Sequence, residues 1–218
     1  IQKQTNIPKQ DDIATPKNML LQERLKPYTL ILASQSPRRR QLLTDAGFAY
    51  RMAERFECEE RYPDTLAAEQ VAPYLSRLKS EAYPRALAPR EILLTADTVV
   101  VAAGQVLGKP VDRDEAIRML RLLSGRAHEV VTGVTLRTAA RSRCFAAHSS
   151  VRFRPLTDEE IVYYVDRYRP LDKAGSYGIQ EWIGYVGIEG IEGSFYNVMG
   201  LPVQRLYCEL ESFLDELE

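Results

Sequence analysis

Residues 91–108, EILLTADTVVVAAGQVLG, form a long apolar run rich in β-branched side chains, and they restrict the chain to folds that contain a buried β-strand. The run predicts a strand followed by a hairpin turn near Gly104. Asp97 is the exception, because a carboxylate in a buried strand must be paired, hydrogen-bonded or bound to a cation. Two interpretations stay open. Asp97 either bonds to nearby backbone as a structural residue, or it acts as a general base or metal ligand at a strand terminus.

Residues 28–47 predict a strand that leads directly into a helix. The apolar stretch YTLILA (28–33) is β-prone, and Ser36 followed by Pro37 is typical of the N-cap and first turn of a helix. Gly47 is expected to end that helix. A strand therefore gives way to a helix within a few residues.

The remaining chain continues to mix strands with helices. Hydrophobic spacing predicts a helix at 65–83, in which Pro73 either kinks the helix or marks its true first turn. Thr157 and Glu160 have the spacing of a capping box, which predicts another helix start. The other predicted elements are a strand at 48–57, a helix at 112–125, two antiparallel strands within 128–138 and 143–156, a glycine-rich turn at 170–180 and a C-terminal helix within 195–214. This mixture indicates an α/β or α+β fold.

The domain organisation follows from length and periodicity. The 218 residues suit one large or two small domains, and 45% of them are hydrophobic, which is enough for a substantial core. No internal repeat or low-complexity linker separates two units. The first stretch, IQKQTNIPKQDDIATPKN, is polar and lacks periodicity. We therefore expect a weakly structured tail at 1–27, with at most one short helix, and one globular domain at 28–218.

Charge and cysteine content argue against several functions. The 29 Lys and Arg residues nearly balance the 30 Asp and Glu residues, and a net charge of −1 argues against broad nucleic-acid binding. No apolar run approaches the ~20 residues of a membrane helix, and no signal peptide is visible. Cys58, Cys144 and Cys208 are scattered without a C-x-x-C pair, which supports neither disulfides nor a zinc site. We expect a cytoplasmic protein that binds neither nucleic acid nor membranes.

The start of the helix that follows Ser36 has the composition of an anion site. The first N–H groups of a helix are unpaired and carry partial positive charge. Ser34 and Ser36 add hydroxyl donors, and Arg38 and Arg39 add forked donors that suit phosphate oxygens. This combination indicates a polyanion such as a triphosphate. The alternative is an ordinary capped helix whose arginines are solvated.

Further polar residues lie in apolar or glycine-rich surroundings. Lys79 lies on a predicted helix and Lys109 follows a glycine, and both are ordinary surface residues unless they converge with the arginines on one anion. Glu59 and Glu60 are either metal ligands or a solvated acidic pair. Gln180, in SYGIQ, has the donor and acceptor groups to read a base edge, and is otherwise a loop amide without a ligand.

Taken together, these motifs resemble those of the Maf family of nucleotide pyrophosphatases. The matching stretches run in family order from about residue 30 to 206: LASQSPRRRQLL, ADTVVVAAGQVLGKPVDRDEAIRMLRLLSGRAHEVVTGV, LTDEEIVYYV, PLDKAGSYGIQ and IEGSFYNVMGLPV. The resemblance implies an α/β fold with a mixed central sheet flanked by helices and a central cleft, as in inosine triphosphatases. It implies hydrolysis of a nucleoside triphosphate to the monophosphate and pyrophosphate with a divalent metal cation, Mg²⁺ or Mn²⁺, and a homodimer.

The resemblance also implies roles for single residues. Asp97 matches the family's proton acceptor, and Asp97 and Glu59 are the implied metal ligands. At Arg39, Thr98 and Gln180, the sequence resembles the branch of the family that acts on dTTP and UTP. Substrate binding is assigned to seven residues: Ser34, Arg38, Arg39, Lys79, Thr98, Lys109 and Gln180.

The sequence departs from the family pattern beside the implied base-reading residue. Glu181 and Trp182 stand next to Gln180, at places where the family often has glycine. The competing function is a non-catalytic regulator of cell division that binds nucleotides or nucleic acid. The near-neutral charge argues against nucleic acid, and the position of Asp97 favours chemistry over binding alone.

Overall fold

A computed structural model describes residues 19–217 of the chain, and within that range it contains seven strands, eight α-helices and one short 3-10 helix at Ala174–Ser176. The strands are β1 Thr29–Leu32, β2 Arg51–Met52, β3 Glu91–Ala102, β4 Gln105–Leu107, β5 Ala127–Arg137, β6 Ser142–Phe153 and β7 Ile188–Glu192. The helices are α1 Leu21–Leu25, α2 Pro37–Asp45, α3 Ala68–Glu81, α4 Arg113–Leu123, α5 Asp158–Tyr168, α6 Trp182–Gly187, α7 Phe195–Met199 and α8 Val203–Asp215.

The described strands form one mixed sheet in the order β2-β1-β3-β5-β6-β7, with β4 paired to β3. β2, β1 and β3 run parallel, and the other pairings are antiparallel. The predicted hairpin near Gly104 is confirmed: Ala103 and Gly104 join β3 to β4 with φ values of 49° and 73°, as the tight primed turns of hairpins require. The predicted antiparallel strands are also confirmed as β5 and β6.

Helices cover both faces of the sheet, because alternate side chains of a strand point to opposite sides. Ile92 and Leu94 of β3 belong to a buried cluster with residues of α1, α2 and α8. Val99 of β3 packs instead with Val71 and Leu75 of α3. A third cluster joins α4, α5 and α6 to β5 and β6. The predicted α/β fold, a mixed central sheet flanked by helices, is confirmed.

The predicted strand at 48–57 is wrong over most of its length, because only the two residues of β2 are in a strand. β2 pairs with Ile31 and Leu32, which are the last two residues of β1. Beyond them β1 offers no further residues with which a longer β2 could pair. Residues 53–67 then follow an irregular path to α3. A connection of that length without regular structure is uncommon and is often functional.

Several local predictions can be compared with the structure directly. Ser36 caps α2, and Thr157 forms both halves of a capping box at the start of α5. Pro73 lies inside α3 rather than in its first turn. α6 and β7 were not predicted. No helix in residues 19–217 is long and apolar enough to cross a membrane.

The predicted N-terminal tail is partly described. Residues 1–18 lie outside the described residues. The short helix that the prediction allowed is α1, and its Leu21 is fully buried in the cluster that includes α8. The hydroxyl of Tyr207, on α8, accepts the Leu21 backbone N–H at 3.3 Å. Residues 21–25 therefore contribute to the core.

Candidate active site

An opening in the sheet exposes the middle of β3. Along the edge of β3 that faces away from β5, β1 pairs with residues 91–94 and β4 pairs with residues 100–102. Between these pairings, no strand of the described chain covers residues 95–99 on that side. The carboxyl ends of parallel strands beside such an opening are the usual place for ligands in α/β sheets. The opening is therefore the candidate site.

A crevice of about 790 Å³ occupies this opening, a volume within the range of small-molecule sites. Its walls come from the start of α2, the irregular segment 53–60, α3, β3, the glycine-rich turn and the end of α7. All nine residues that the sequence singled out line it: Ser34, Arg38, Arg39, Glu59, Lys79, Asp97, Thr98, Lys109 and Gln180. The structure brings them together, and their individual roles stay predictions.

Asp97 lies in the crevice as part of an ion-pair cluster. Its carboxylate binds the ammonium group of Lys79, which also contacts Glu60 at 3.1 Å. Asp97 is 9% exposed, so the pairing supplies the compensation that a buried carboxylate requires. The partner is a side chain from α3 rather than neighbouring backbone, which favours the functional interpretation of Asp97 over the structural one.

Lys79 reaches Asp97 because α3 packs very close to the sheet. Gly133 of β5 is the residue paired across from Asp97. A Cβ atom at Gly133 would lie 2.2 Å from the backbone nitrogen of Pro73 in α3, which no side chain can occupy. Glycine at this position therefore allows the close approach. A larger residue would push α3, and Lys79 with it, away from the strand.

The start of α2 combines capping with an available donor. The Oγ atom of Ser36 accepts the Arg39 backbone N–H at 3.4 Å. The Oγ atom of Ser34 accepts the Ser36 backbone N–H at 3.2 Å and an N–H of the Arg39 guanidinium at 3.3 Å. Both contacts use lone pairs of Ser34, which leaves its O–H group able to donate to an anion.

The two other predicted cations differ in their pairing. Arg38 donates to Asp172 at 2.7 Å from the start of α2. Burial alone would raise the pKa of Asp172, but hydrogen bonds from Lys173 and Arg38 hold that pKa below its ordinary value. Lys109 lines the crevice and has no carboxylate partner among the described residues. Lys109 can therefore bind an anion without giving up an ion pair.

Arg39 is held almost entirely by the protein itself. Its Nε–H donates to the Gly200 carbonyl at 2.7 Å, and its other groups donate to the Ala96 carbonyl at 2.8 Å, to Thr98 Oγ1 at 3.0 Å and to Ser34. Burial, the largest influence, lowers the pKa of Arg39. Four of its five N–H groups are thereby used. The predicted phosphate contact of Arg39 stays a prediction, limited to the remaining N–H.

Thr98 belongs to the same wall. Its Oγ1 shares a hydrogen bond with Thr132 Oγ1 at 2.9 Å, and Thr132 donates to the Asn197 carbonyl at 3.2 Å. This network ties β3 and β5 to α7. Thr98 and Arg39 therefore fix the shape of the crevice where α7 ends.

Two neighbouring acidic residues of the irregular segment, Glu59 and Glu60, contact different partners. Glu59 pairs with Arg61 at 2.9 Å, and its side chain is 71% exposed. Glu60 pairs with Lys79, the residue that binds Asp97. Sequence reasoning favoured Glu59 as a metal ligand, but the carboxylate of Glu60 is the one joined to the Asp97 cluster. The ligand role of Glu59 stays a prediction.

Gln180 presents an acceptor that no other group uses. Its Oε1 atom is shielded from solvent and accepts no hydrogen bond from the described residues. A buried acceptor without a donor costs free energy, and such atoms in native proteins call for an explanation such as a ligand. The turn that carries Gln180 is held close to the sheet, because a Cβ atom at Gly175 would lie 2.8 Å from the Val100 side chain.

A second charged group, to which the sequence assigned no role, lies in the same wall. Lys173 is only 8% exposed, and its ammonium group pairs with Asp172 at 2.7 Å and with Glu181 at 3.1 Å. The other carboxylate oxygen of Glu181 accepts from the hydroxyl of Tyr164 on α5. A lysine and an aspartate inside a glycine-rich turn were the available signal. Their partners are set by tertiary contacts that spacing does not reveal.

A buried aromatic cluster supports the wall from behind. The ring of His128 stacks on Phe153 at 5.6 Å, and its Nε2 shares a hydrogen bond with the Tyr177 hydroxyl at 2.7 Å. Burial lowers the pKa of His128 to about 4. Burial also raises the pKa of Tyr177, which lines the crevice. Both groups are therefore neutral at ordinary pH.

The fold and the crevice define an α/β protein with a polar crevice lined by arginines, lysines and carboxylates. Comparison with known families is more specific: the family described as Maf-like protein matches residues 29–213. The chain belongs to the Maf family.

Relatives named dTTP/UTP pyrophosphatase are similar to this chain over most of its length. The protein from Bacteroides fragilis strain ATCC 25285 is 53% identical over 86% of this chain and 97% of its own. The protein from Porphyromonas gingivalis strain ATCC 33277 is 53% identical over 88% of this chain and 97% of its own.

One solved structure gives a weaker match. A nucleoside-triphosphatase / dITP/XTP pyrophosphatase from Mycobacterium abscessus covers 87% of this chain and 98% of its own, with a TM-score of 0.39 and 13% identity. That score is too low to support an inference about function.

Proposed function

We propose that this protein is a nucleoside triphosphate pyrophosphatase that hydrolyses dTTP and UTP to the monophosphate and pyrophosphate. The observation that carries the proposal is the shared crevice, in which Asp97, several cations and the amide of Gln180 line one space. The names of the relatives that match most of the chain support the same reaction and the same substrates.

The triphosphate binds at the start of α2. The Arg38 backbone N–H and the Ser34 hydroxyl donate to phosphate oxygens, since Pro37 has no N–H and the Arg39 N–H is already bound by Ser36. Arg38, Lys79 and Lys109 supply positive charge. Lys109 is available at once, whereas Arg38 and Lys79 exchange a carboxylate partner for a phosphate oxygen. Held in this way, the substrate presents its α-phosphorus to the middle of β3.

Asp97 orients a water molecule and accepts its proton. The water oxygen bonds to the α-phosphorus, the bond from that phosphorus to the oxygen bridging to the β-phosphorus breaks, and pyrophosphate leaves with the bond electrons. Lys79, whose ammonium group has exchanged Asp97 for a phosphate oxygen, stabilises the charge that spreads over the phosphate oxygens. Positioning and charge stabilisation supply most of the acceleration, as in phosphoryl transfer generally.

The residues present fit a divalent cation that the substrate helps to bind. The described chain has no group of three or more acidic, His or Cys side chains arranged to hold a metal. It offers the carboxylates of Asp97 and Glu60, which Lys79 brings together, with Glu59 nearby in sequence. Mg²⁺ commonly binds through one or two carboxylates plus substrate phosphates. Mg²⁺ or Mn²⁺ would withdraw charge from the phosphate oxygens when bound.

Gln180 reads the base. Uracil and thymine present a ring N–H between two carbonyl oxygens, so a carboxamide can accept from the N–H and donate to a carbonyl. The shielded Oε1 atom of Gln180 lacks a donor within the described chain, and the ring N–H would supply one. Cytosine in the same orientation presents the lone pair of that ring nitrogen to Oε1, and its amino group can reach Oε1 only if the base or the carboxamide shifts.

The test is a panel of nucleoside triphosphates incubated with the protein and Mg²⁺ or Mn²⁺, with pyrophosphate and monophosphate measured separately. We expect both products in equal amounts, fastest from dTTP and UTP. Release of inorganic phosphate and nucleoside diphosphate instead would contradict attack at the α-phosphorus. Binding without turnover of any triphosphate would favour the competing function, a non-catalytic regulator of cell division. A homodimer and a cytoplasmic location remain predictions.

A further inference from the structure

We infer that Glu181 is a positioning residue, which holds the base-reading Gln180 in place and couples it to the phosphate-binding Arg38. The inference rests on the proposed function, since it assigns Gln180 to the base and Arg38 to the phosphates.

Tyr164 contacts the chain on both sides of Gln180. The hydroxyl of Tyr164 donates to the Oε2 atom of Glu181 and accepts the backbone N–H of Gly178 at 2.9 Å. Gly178 and Glu181 flank the stretch that contains Gln180, so the turn is fastened on both sides to α5. Burial, the largest influence, and the bond to Glu181 both raise the pKa of Tyr164, which keeps its proton in place to donate.

The second oxygen of Glu181 begins a line of alternating charges. Its Oε1 atom pairs with Lys173 at 3.1 Å, Lys173 pairs with Asp172 at 2.7 Å, and Asp172 pairs with Arg38 at 2.7 Å. Each member holds the next in position. Because Arg38 must change partners when phosphate binds, a shift at that end is transmitted to Lys173 and to the turn that carries Gln180.

An ordinary structural role does not explain the orientation of Glu181. The residue occupies the N-cap position of α6, where an acidic side chain would normally accept a backbone N–H of its own helix. Its side chain makes no such capping bond. Its two oxygens instead contact Tyr164 and Lys173, and Lys173 lines the crevice.

The chain offers a matched control. The carboxylate of Glu209 on α8 has a side-chain exposure of 15%, against 19% for Glu181, and it also contacts two partners, Arg143 at 3.0 Å and Arg205 at 2.7 Å. Neither carboxylate lines the crevice itself, but Glu181 contacts Lys173, which does, whereas both partners of Glu209 lie elsewhere. Loss of a comparable carboxylate can therefore be separated from loss of positioning.

The experiment measures kcat and KM for UTP and CTP in Glu181→Ala, Glu209→Ala, Gln180→Leu and the double variant Glu181→Ala/Gln180→Leu. We expect Glu181→Ala to lower the kcat/KM ratio of UTP to CTP about fivefold to tenfold, the size expected for a misplaced hydrogen bond. Glu209→Ala should leave the ratio unchanged. In the Gln180→Leu background, removing Glu181 should lower the ratio no further, because the two act as one unit.

Further outcomes separate this inference from the proposed function. Glu181→Gln keeps an oxygen for Tyr164 and should recover part of the UTP preference. An unchanged ratio in Glu181→Ala, or an equal loss in both Gln180 backgrounds, would overturn the positioning role while leaving pyrophosphatase activity intact. Absence of turnover in the unmodified protein would instead contradict the proposed function itself.

Discussion

Two regions of the crevice wall differ in whether their polar groups already have partners. In the ion-paired region, formed by Lys79, Glu60 and Asp97, every charged group already contacts an opposite charge. In the amide region, Gly178–Gln180, the acceptor of Gln180 is shielded and has no donor in the described chain. The first region must exchange partners when a polyanion enters. The second gains a partner that it lacks.

This difference assigns different tasks to the two regions. Exchange of one charge partner for another contributes little net binding free energy, because the lost ion pair offsets the new one. Such a region suits catalysis, where charge develops in the transition state. A shielded acceptor discriminates strongly, because a ligand that leaves it unpaired gains nothing to offset its desolvation. The Asp97 region is therefore expected to control rate, and the Gln180 region to control choice of base.

The largest expected effect is on rate in the ion-paired region. Asp97→Asn keeps the size of the side chain and removes its ability to accept a proton from water, so kcat should fall roughly 10²- to 10⁴-fold. Calorimetry with a non-hydrolysable UTP analogue should show binding within a few-fold of the unmodified protein. A rate close to that of the unmodified protein would remove Asp97 from the role of base.

Acid should destabilise the wall that carries the amide region. His128 is buried as the neutral ring with a pKa of about 4, against an ordinary value of 6.5. Between these values the unfolded chain binds a proton that the folded chain does not, so the free energy of unfolding falls as pH falls. Between about pH 7 and about pH 5, the free energy of unfolding of the unmodified protein should fall by on the order of 2 kcal/mol more than that of the His128→Gln variant.

The control for the acid experiment is the other histidine. His148 is exposed at the surface, so His148→Gln should keep the pH dependence of the unmodified protein. The free energies come from urea unfolding at each pH. Equal slopes for the unmodified protein and His128→Gln would show that His128 is not buried in its neutral form.

A smaller effect is expected on substrate ranking in the amide region. Gln180→Leu preserves much of the volume and removes the acceptor, so the preference for UTP over CTP should fall about tenfold. Turnover of UTP at saturation should change less than in Asp97→Asn. An unaltered ranking in competition assays would mean that the base is read elsewhere.

The smallest effect concerns Glu59 and Glu60 of the irregular segment. Glu60→Gln should raise the Mg²⁺ concentration for half-maximal rate by about twofold to fivefold, the size expected for a partly exposed charge contact. Glu59→Gln is the matched control and should have less effect, since Glu59 pairs with Arg61 at the surface. A larger effect from Glu59 would restore the original sequence-based choice of metal ligand.

Local signals predicted much of the fold. The apolar run around Asp97, the turn at Gly104 and the caps at Ser36 and Thr157 all lie within a few residues of the structure they specify. β7 was missed because its sequence, IEGIE, is short and contains glycine. The predicted strand at 48–57 failed because β-propensity does not reveal where the neighbouring strand ends.

For the candidate site, too, the sequence predicts which residues take part but not which contacts they make. Its members could be chosen from the sequence because their residue types are unusual in their surroundings. Their partners could not, since Arg39 is held by Ala96, Thr98 and Gly200, up to 161 positions away in the chain. The choice between Glu59 and Glu60 depended on the path of an irregular segment. The link from Glu181 to Arg38 likewise exists only in three dimensions.

The most direct test of the central claim is to hydrolyse UTP in heavy-oxygen water and locate the label by phosphorus NMR. Attack by an Asp97-oriented water on the α-phosphorus places one heavy oxygen in UMP and none in pyrophosphate. We expect that distribution. Label in pyrophosphate, or in inorganic phosphate released with UDP, would contradict it, because water would then have attacked a different phosphorus.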